Sequence, residues 1–284
     1  MDCFFINLDS AADRKSRVES NFAACKKPGW TLSRFPAIDK DYVARNAIGG
    51  ATRPGEKGCF LSHQVLMEQR LADDKTYLIM EDDAQFGVRT CTLIDMVLKR
   101  NADLDWDIMF TDVCIPNEIT MFELLRYRRE LRKNKIEVAF INLCGVGFAG
   151  TTAYLINGKS KRKVYNALSA YTAQRIDLPY DLFLRQLSHS NTLKIYSLFP
   201  FVTTVSEFSD DSQIKAMGTN TLDMAWNMFR KMIWTERSLE RCKSTLELLK
   251  ETLCRDDPAL QSTAADDELG AFKILFSSMT AIRG

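Results

Sequence analysis

The 284 residues are enough for one large α/β domain, or for one domain with a helical appendage. Lys and Arg together number 38 and Asp and Glu 37, so the net charge near +1 gives no general attraction to nucleic acid, and we predict no nucleic-acid partner. No stretch approaches the roughly 18 apolar residues that span a bilayer, and the start lacks the basic region of a signal peptide, which predicts a cytoplasmic location.

The cysteines are scattered along the chain without a Cys-x-x-Cys pair. This spacing argues against zinc ribbons and against a dense disulfide framework. We therefore expect free, mostly buried thiols. The cysteines are Cys3, Cys25, Cys59, Cys91, Cys114, Cys144, Cys242 and Cys254.

The chain begins with an apolar run over residues 3–9, which predicts a buried strand that ends in polar residues. A polar turn and a helix over 13–24 follow, and this order is the usual opening of a nucleotide-binding α/β unit. Asp9 and Arg14 are therefore candidates to hold a nucleotide. A simple helix N-cap at Asp9 or Ser10 is an equally good interpretation.

A second strand is predicted over 30–39, followed by a loop rich in Gly and Pro and by a helix from Pro54 to about Leu71. Glycines at the start of this helix, Gly55 and Gly58, allow the backbone to approach a ligand closely. His63 lies on the same helix. It is one of two histidines, and both a core role and a role in a site are open.

The stretch of greatest chemical interest is Tyr77-Leu78-Ile79-Met80-Glu81-Asp82-Asp83. Its apolar half predicts a strand buried on both faces, and three carboxylates follow at once. Such a cluster at the end of a buried strand is unfavourable unless positive charge meets it. Side chains alternate along a strand, so Glu81 and Asp83 should face one way and Asp82 the other.

Ligands of open α/β sheets bind beyond the carboxyl ends of the strands, where these acids are expected. Hard carboxylate oxygens select Mg²⁺ or Mn²⁺, which keep positions open for phosphate oxygens. We therefore predict a metal site that receives a diphosphate. The alternative is a solvated acidic turn.

Four ordered blocks of this sequence resemble glycosyltransferase family 25, which includes bacterial lipooligosaccharide β-galactosyltransferases and collagen galactosyltransferase domains. The blocks are FFINLD with the following Asp13-Arg14, FPAID at 35–39, PGEKGCFLSH at 54–63 and LIMEDDAQF at 78–86. The similarity continues through strand-like segments at 105–110 and 150–156, through Leu178-Pro179-Tyr180-Asp181, and through a closing segment that ends in Gln213-Ile214.

The resemblance implies an α/β, GT-A-like fold with a Rossmann-type central sheet flanked by helices over residues 1–217. The family pattern fades past Met217, and the helical periodicity beyond it predicts a helical C-terminal extension over 218–284. It implies an inverting transferase that moves a hexose, most often galactose from UDP-galactose, with Mn²⁺ or Mg²⁺. The expected acceptor is a saccharide of lipooligosaccharide, lipopolysaccharide or a related glycan.

The chemistry of the residues and the resemblance together suggest the site residues. Asp83 and Glu81 are expected to hold the metal, and Asp181 to act as the catalytic base, with a first-turn helical acid as its structural alternative. Asp112 and Glu118 are the runner-up bases. The residues expected to bind the nucleotide sugar are Asn7, Asp9, Arg14, Asp39, Ser62, His63, Glu81 and Asp82.

The segment 116–136 departs from the family pattern because it is strongly basic, with six positive charges from Arg126 to Lys135. Its apolar residues partly follow a helical period. Three interpretations are open: a site for a phosphate on the acceptor saccharide, contact with an anionic membrane surface at the inner face of the membrane, and a solvated helix face.

Helical periodicity covers 221–252, a break is predicted at Asp256-Asp257-Pro258, and a last amphipathic helix is predicted over 272–282. The first helical run carries a large apolar load, which we expect to pack on the catalytic domain. Homodimerisation and shallow membrane association are the alternatives. The apolar side chains concerned are Trp226, Met228, Phe229, Met232 and Trp234.

Two other functional classes compete with a transferase. One is a non-catalytic, transferase-like glycan-binding module, against which the intact acidic triplet and Asp181 argue. The other is a metal-dependent nucleotide phosphohydrolase or nucleotidyltransferase that uses the same carboxylates. It would release phosphate from a nucleotide without sugar transfer, and it would not need the Gly-Cys-Phe-Leu-Ser-His segment.

Overall fold

A computed structural model of the chain describes residues 1–206, 221–253, 257–265 and 267–283. The strands of these residues are β1 (Asp2–Asn7), β2 (Thr31–Pro36), β3 (Tyr77–Glu81), β4 (Ala84–Phe86), β5 (Ile108–Phe110), β6 (Ala139–Asn142), β7 (Ala153–Ile156), β8 (Ile195–Phe199) and β9 (Thr203–Val205). The helices are α1 (Ala12–Cys25), α2 (Lys40–Arg45), α3 (Pro54–Gln69), α4 (Thr90–Arg100), α5 (Glu118–Lys133), α6 (Lys161–Thr172), α7 (Tyr180–His189), α8 (Thr221–Ile233), α9 (Leu239–Leu253), α10 (Pro258–Gln261) and α11 (Glu268–Arg283).

Seven strands form one mixed sheet in the order β2-β1-β3-β7-β5-β8-β6, and β4 pairs with β9 in a small second sheet. The group β2-β1-β3 is parallel, as in a Rossmann-type unit. Strand β7 runs antiparallel between β3 and β5, β8 is parallel to β5, and β6 is antiparallel to β8. The predicted α/β class, with a central sheet flanked by helices and followed by C-terminal helices, is confirmed.

Strand β3 lies inside the sheet and is buried on both faces. Tyr77 and Ile79 belong to the core cluster that includes residues of α3, α5 and the C-terminal helices. Leu78 and Met80 belong to the cluster on the other face, with residues of α1 and α4. All four are at most 2% exposed. Burying each of these side chains stabilises the fold by about 1.5–3 kcal/mol. Because both faces of the strand are buried, apolar and polar residues do not alternate along it, and polar residues appear only at its end.

Helix α1 begins after Ala11, whose side chain makes no capping hydrogen bond. The N-cap interpretation of Asp9 and Ser10 is therefore wrong. Asp9 instead forms an ion pair with Arg34 of β2 at 2.5 Å.

The helical periodicity over 221–252 corresponds to two helices, α8 and α9, which are separated at residues 234–238. The buried side chains of α8 pack into the same core cluster as the sheet, and Trp234 Nε1 donates to Val202 O at 3.2 Å. The predicted break at Asp257-Pro258 is present as the start of α10, whereas Asp256 lies outside the described residues. So do Gln213, Ile214 and the predicted domain boundary at 217/218.

The basic segment forms α5, and two of its arginine side chains contact the C-terminal helices. Arg128 is buried and donates to Met232 O at 2.6 Å, and Arg132 pairs with Glu268 at 3.0 Å. Among the described residues, no disulfide joins any two of the seven cysteines, and Cys254 lies outside them. No helix in the described part of the chain has the length and apolar character needed to cross a bilayer.

Candidate active site

Two cavities meet at the carboxyl end of β3, and Cys59, Glu81 and Asp83 line both of them. The larger cavity, of about 600 Å³, extends over the ends of β1 and β2 and the first turns of α2. The smaller cavity, of about 250 Å³, lies among α3, the loop before β7, the start of α7, and Asn227 and Arg230 of α8. The side chains that the sequence singles out are therefore gathered at one edge of the sheet, as expected for an open α/β sheet.

Asp82 is held from the side of β1. Asn7 Nδ2 donates to Asp82 Oδ2 at 2.7 Å, and Arg14 lies 2.7 Å from the other oxygen. Arg14 also lies 3.8 Å from Asp83. Burial raises the pKa of Asp82, and the charge of Arg14 offsets part of this rise. The positive charge required at the end of β3 is thus supplied in part by α1.

Glu81 and Asp83 line the smaller cavity together, whereas Asp82 turns toward α1. Thr151 Oγ1 donates to Glu81 at 2.5 Å. Burial and the charge of Glu81 raise the pKa of Asp83 to about 7. Burial alone would raise the pKa of Glu81, but His63, Thr151 and Arg14 together lower it below its ordinary value.

The carboxylates of this edge fit a hard divalent cation. Asp83 Oδ1 is buried and has no hydrogen-bond partner within the described residues, and Glu81 offers a second carboxylate on the same cavity wall. Mg²⁺ and Mn²⁺ typically take one or two protein carboxylates and fill the remaining positions with water and phosphate oxygens. The donor set thus agrees with the metal predicted from the sequence.

Helix α8 contributes a cationic side chain to the smaller cavity, and this side chain was not predicted from the sequence. Arg230 is buried, donates to Asp112 Oδ2 through Nε at 2.9 Å, and donates to Thr152 Oγ1 at 2.7 Å. Burial opposes its charge, but the pairing with Asp112 outweighs this, and the pKa of Arg230 is raised. One sequence signal could have identified Arg230, because it lies four residues after Trp226 on the apolar face of a helix.

The role of Asp112 as a runner-up base is wrong, because its carboxylate is fully buried in the ion pair with Arg230 and also accepts a bond from Thr203 at 3.2 Å. Such a group cannot receive a proton from a substrate hydroxyl. Glu118, the other runner-up, lies in the first turn of α5.

His63 combines a core position with one nitrogen directed at the acids. Its Nδ1 is 2.7 Å from the Tyr154 hydroxyl, which in turn is 2.9 Å from the Tyr180 hydroxyl. The His63 ring stacks on Tyr180 at 4.3 Å. Its Nε2 has no hydrogen-bond partner within the described residues and lies 3.8 Å from Glu81.

Asp181 lies in the first turn of α7, as its structural alternative requires, and its side chain also reaches the smaller cavity. Gly150 N donates to one carboxylate oxygen at 2.8 Å, and Leu182 N donates to the other at 2.9 Å. Burial raises the pKa of Asp181, and these backbone donors offset part of the rise. Pro179 precedes the helix and lines the same cavity.

The remaining residues predicted to bind the nucleotide sugar line the larger cavity but are engaged with the protein. Asp9 pairs with Arg34, and Asp39 caps α2. The Ser62 hydroxyl accepts from Ile38 N at 2.8 Å and donates within α3. Because these groups already have partners, they fix the shape of the cavity wall.

Gly55 and Gly58 of α3 have different surroundings. Gly55 lines the larger cavity. The expectation that Gly58 approaches a ligand is wrong, because a Cβ there would lie 2.3 Å from Ile38 O. Its close approach is to the loop that carries Asp39.

Comparison with protein-family models identifies the family of this chain. The model of glycosyltransferase family 25, described as an LPS biosynthesis protein, matches residues 1–184. This chain belongs to glycosyltransferase family 25. The family 25 region contains every site residue predicted from the sequence, from Asn7 to Asp181, whereas Arg230 lies beyond it.

A search of curated proteins finds no match to this family 25 chain. Among solved structures, the apo form of mouse xyloside xylosyltransferase 1 is similar at 12% identity, over 68% of this chain and 70% of that chain. The TM-score of 0.36 is too low for this likeness to support an argument.

Proposed function

We propose that this family 25 enzyme transfers a hexose, specifically galactose from UDP-galactose, to a saccharide of lipopolysaccharide or lipooligosaccharide, with inversion and with the help of Mn²⁺ or Mg²⁺. The observation that carries the proposal is the junction of two cavities at Glu81 and Asp83. The larger cavity, of about 600 Å³, has a volume typical of small-molecule sites. The smaller cavity holds Asp181.

On the nucleotide side, the larger cavity offers both charge and polar groups. Arg14 lies 2.7 Å from Asp82, and this ion pair keeps it at the cavity wall. A diphosphate in this cavity would meet Arg14 and the polar end of Asn7, whereas the free oxygens of Asp9 and Asp39 suit the hydroxyl groups of the nucleoside. These residues bind and orient the sugar donor rather than take part in bond cleavage.

Asp83 and Glu81 would hold the metal, whose bound charge would offset the negative charge that develops on the departing nucleoside diphosphate. Arg230 adds a fixed positive charge at the wall of the same cavity. Because it is already desolvated and held by Asp112, its position needs no rearrangement when negative charge develops.

Asp181 is the proposed base for the acceptor hydroxyl. Its raised pKa brings it closer to the working pH than an exposed aspartate, which favours proton transfer. The bond from Gly150 N fixes one of its oxygens. In an inverting reaction this carboxylate lies on the side of the sugar opposite the leaving group, by the stereochemical logic that governs paired carboxylates in glycosidases.

The test is a panel of UDP-sugars, each assayed with and without Mn²⁺ and with and without a truncated lipooligosaccharide acceptor. We expect UDP release that depends on both acceptor and metal, and a product heavier by one hexose in a β-linkage. Phosphate release from nucleotides without an acceptor would instead indicate a phosphohydrolase. Saccharide binding without turnover of any donor would indicate a glycan-binding module.

A further inference from the structure

We propose that Cys59, His63 and Glu81 form a site for a transition-metal ion of the Zn²⁺ class, separate in chemistry from the hard-cation site of Glu81 and Asp83. The ligand atoms of the three residues all lie within 4.8 Å of one another. Cys59 and His63 are four residues apart on α3, so both point from one face of the helix toward the end of β3.

His63 supplies an independent observation. It is fully buried, yet its Nε2 has no hydrogen-bond partner in the described part of the chain. A core histidine normally satisfies both ring nitrogens, because an unpaired buried polar atom is costly. Here the unpaired nitrogen lies 3.8 Å from Glu81 and within reach of the Cys59 sulfur, where a metal ion would give it a partner.

The groups behind the three residues match those that usually support metal ligands. Tyr154 lies at hydrogen-bond distance from Nδ1 of His63, which fixes the ring and leaves Nε2 for the metal. Thr151 donates to Glu81. Outer contacts of this kind orient ligands and are a general feature of metal sites.

A thiolate, an imidazole and one carboxylate form a donor set that suits Zn²⁺ better than Mg²⁺ or Mn²⁺. Three protein ligands leave a fourth position open, and Cys59 and Glu81 line both cavities, so that position faces the site. Binding replaces the thiol proton of Cys59, which leaves to solvent, and the ion keeps its charge state.

Because Glu81 belongs to both sites, Zn²⁺ binding should affect sugar transfer, an expectation that rests on the proposed function. Coordination of Zn²⁺ by Glu81 would draw its carboxylate toward Cys59 and His63 and away from the hard-cation site. Zn²⁺ should therefore inhibit transfer by removing Glu81 from the Mn²⁺ site, and more Mn²⁺ should relieve the inhibition.

The direct experiment uses Co²⁺ as a spectroscopic substitute for Zn²⁺ on the full chain stripped of metal. We expect a cobalt–thiolate charge-transfer absorption at one equivalent, displaced by Zn²⁺. Cys59→Ser should lose the absorption, whereas Cys144→Ser, which changes an exposed cysteine in a loop, should keep it. His63→Gln should weaken Zn²⁺ binding by more than about 100-fold, beyond the usual effect of changing an outer contact.

A second measurement needs no variant. Zn²⁺ should protect Cys59 from alkylation, read by mass spectrometry, and leave the alkylation of Cys144 unchanged. Absence of the absorption in the wild type, its persistence in folded Cys59→Ser, or complete alkylation of Cys59 both with and without Zn²⁺ would overturn the proposal. These readouts do not involve sugar transfer, so they judge the zinc site even if the proposed transferase activity is wrong.

Discussion

Arg230 Nε lies 2.9 Å from Asp112 Oδ2, so a side chain of the C-terminal helices is paired with the segment after β5 inside the candidate active site. The pair is buried on both sides. Arg230 also reaches Thr152, next to the residue that bonds Glu81. The C-terminal helices therefore form part of the site rather than an independent appendage.

Arg230→Met should destabilise the protein by about 3–5 kcal/mol, because it leaves the Asp112 carboxylate buried without its cation. Urea unfolding measures this change. Adding Asp112→Asn to Arg230→Met should restore part of the stability, since the uncompensated charge is then removed. The control is Arg129→Met on the exposed face of α5, expected to change stability by less than about 0.5 kcal/mol. Equal effects of Arg230→Met and Arg129→Met would contradict the pairing.

Gly58→Ala should destabilise the protein by about 1–3 kcal/mol, because the new methyl group meets the Ile38 carbonyl and pushes on the loop that carries Asp39. It should also raise KM for the nucleotide sugar more than it lowers kcat, since that loop lines the larger cavity. Gly147→Ala is the matched control, because a Cβ there meets no atom within 4 Å. Thermal unfolding and steady-state kinetics compare the two variants. A Gly58→Ala variant with unchanged stability and unchanged kinetics would contradict this prediction.

Asp181→Asn should lower kcat by about 10²–10⁴-fold while affinity for the nucleotide sugar is retained, because the amide keeps the size of the side chain but cannot take a proton. Equilibrium binding of UDP-galactose, together with transfer assays, separates these effects. In the wild type, transfer should fall with decreasing pH as Asp181 becomes protonated, at a higher pH than an ordinary aspartate would give. A variant with normal kcat and an unchanged pH profile would move the base elsewhere.

Glu268 at the start of α11 connects three parts of the fold. It pairs with Arg237 at 2.9 Å and with Arg132 of α5 at 3.0 Å. The hydrogen bond with Arg237 is the largest favourable cause that lowers the pKa of Glu268 to about 2, and Arg132 adds to it.

Because the folded pKa is depressed, Glu268 stabilises the protein above its unfolded value of about 4.3, and this contribution disappears as pH falls from there toward 2. Glu268→Gln should cost roughly 1 kcal/mol at pH 7, after allowance for partial exposure, and close to nothing near pH 2. Chemical unfolding at several pH values measures the difference. Glu251→Gln on the exposed side of α9 is the control. A loss of stability that is the same at every pH would refute this account.

Features of the fold that depend on local chemistry could be predicted from the sequence. The apolar residues of β3 and the acids that follow are adjacent in the chain, so burial on both faces and a charged strand end could be predicted from a few residues. Asp181 and His63 could be placed near the acids only through the family resemblance, because no local pattern brings α3 and α7 to β3.

The break between α8 and α9 could not be seen in the sequence, because no proline or glycine interrupts 234–238. It depends on distant partners. Thr235 N donates to Phe201 O at 2.8 Å, and Glu236 accepts from the backbone of Val88 and Arg89 before α4. Arg230 was missed for the same reason, since its partner Asp112 is more than a hundred residues away in the chain.

The protonation of Asp83 gives the metal proposal a definite pH dependence. In the metal-free protein, its raised pKa means that the folded state keeps a proton between about pH 4 and 7 that the unfolded state has lost. Stability from this group therefore falls as pH rises to about 7, and Asp83→Asn, which stays neutral, should be more stable than the wild type at pH 8. Mn²⁺ needs the carboxylate form and should bind more tightly as pH rises through about 7.

The most direct measurement is calorimetric titration of Mn²⁺ into the wild type and Asp83→Asn at pH 6 and pH 8 in the presence of UDP, with galactose transfer assayed on the same preparations. We predict that the wild type binds Mn²⁺ more tightly at pH 8, and that Asp83→Asn remains folded but loses both Mn²⁺ binding and transfer. Wild-type transfer rates in Asp83→Asn would contradict the claim that these carboxylates hold the metal for the departing nucleotide.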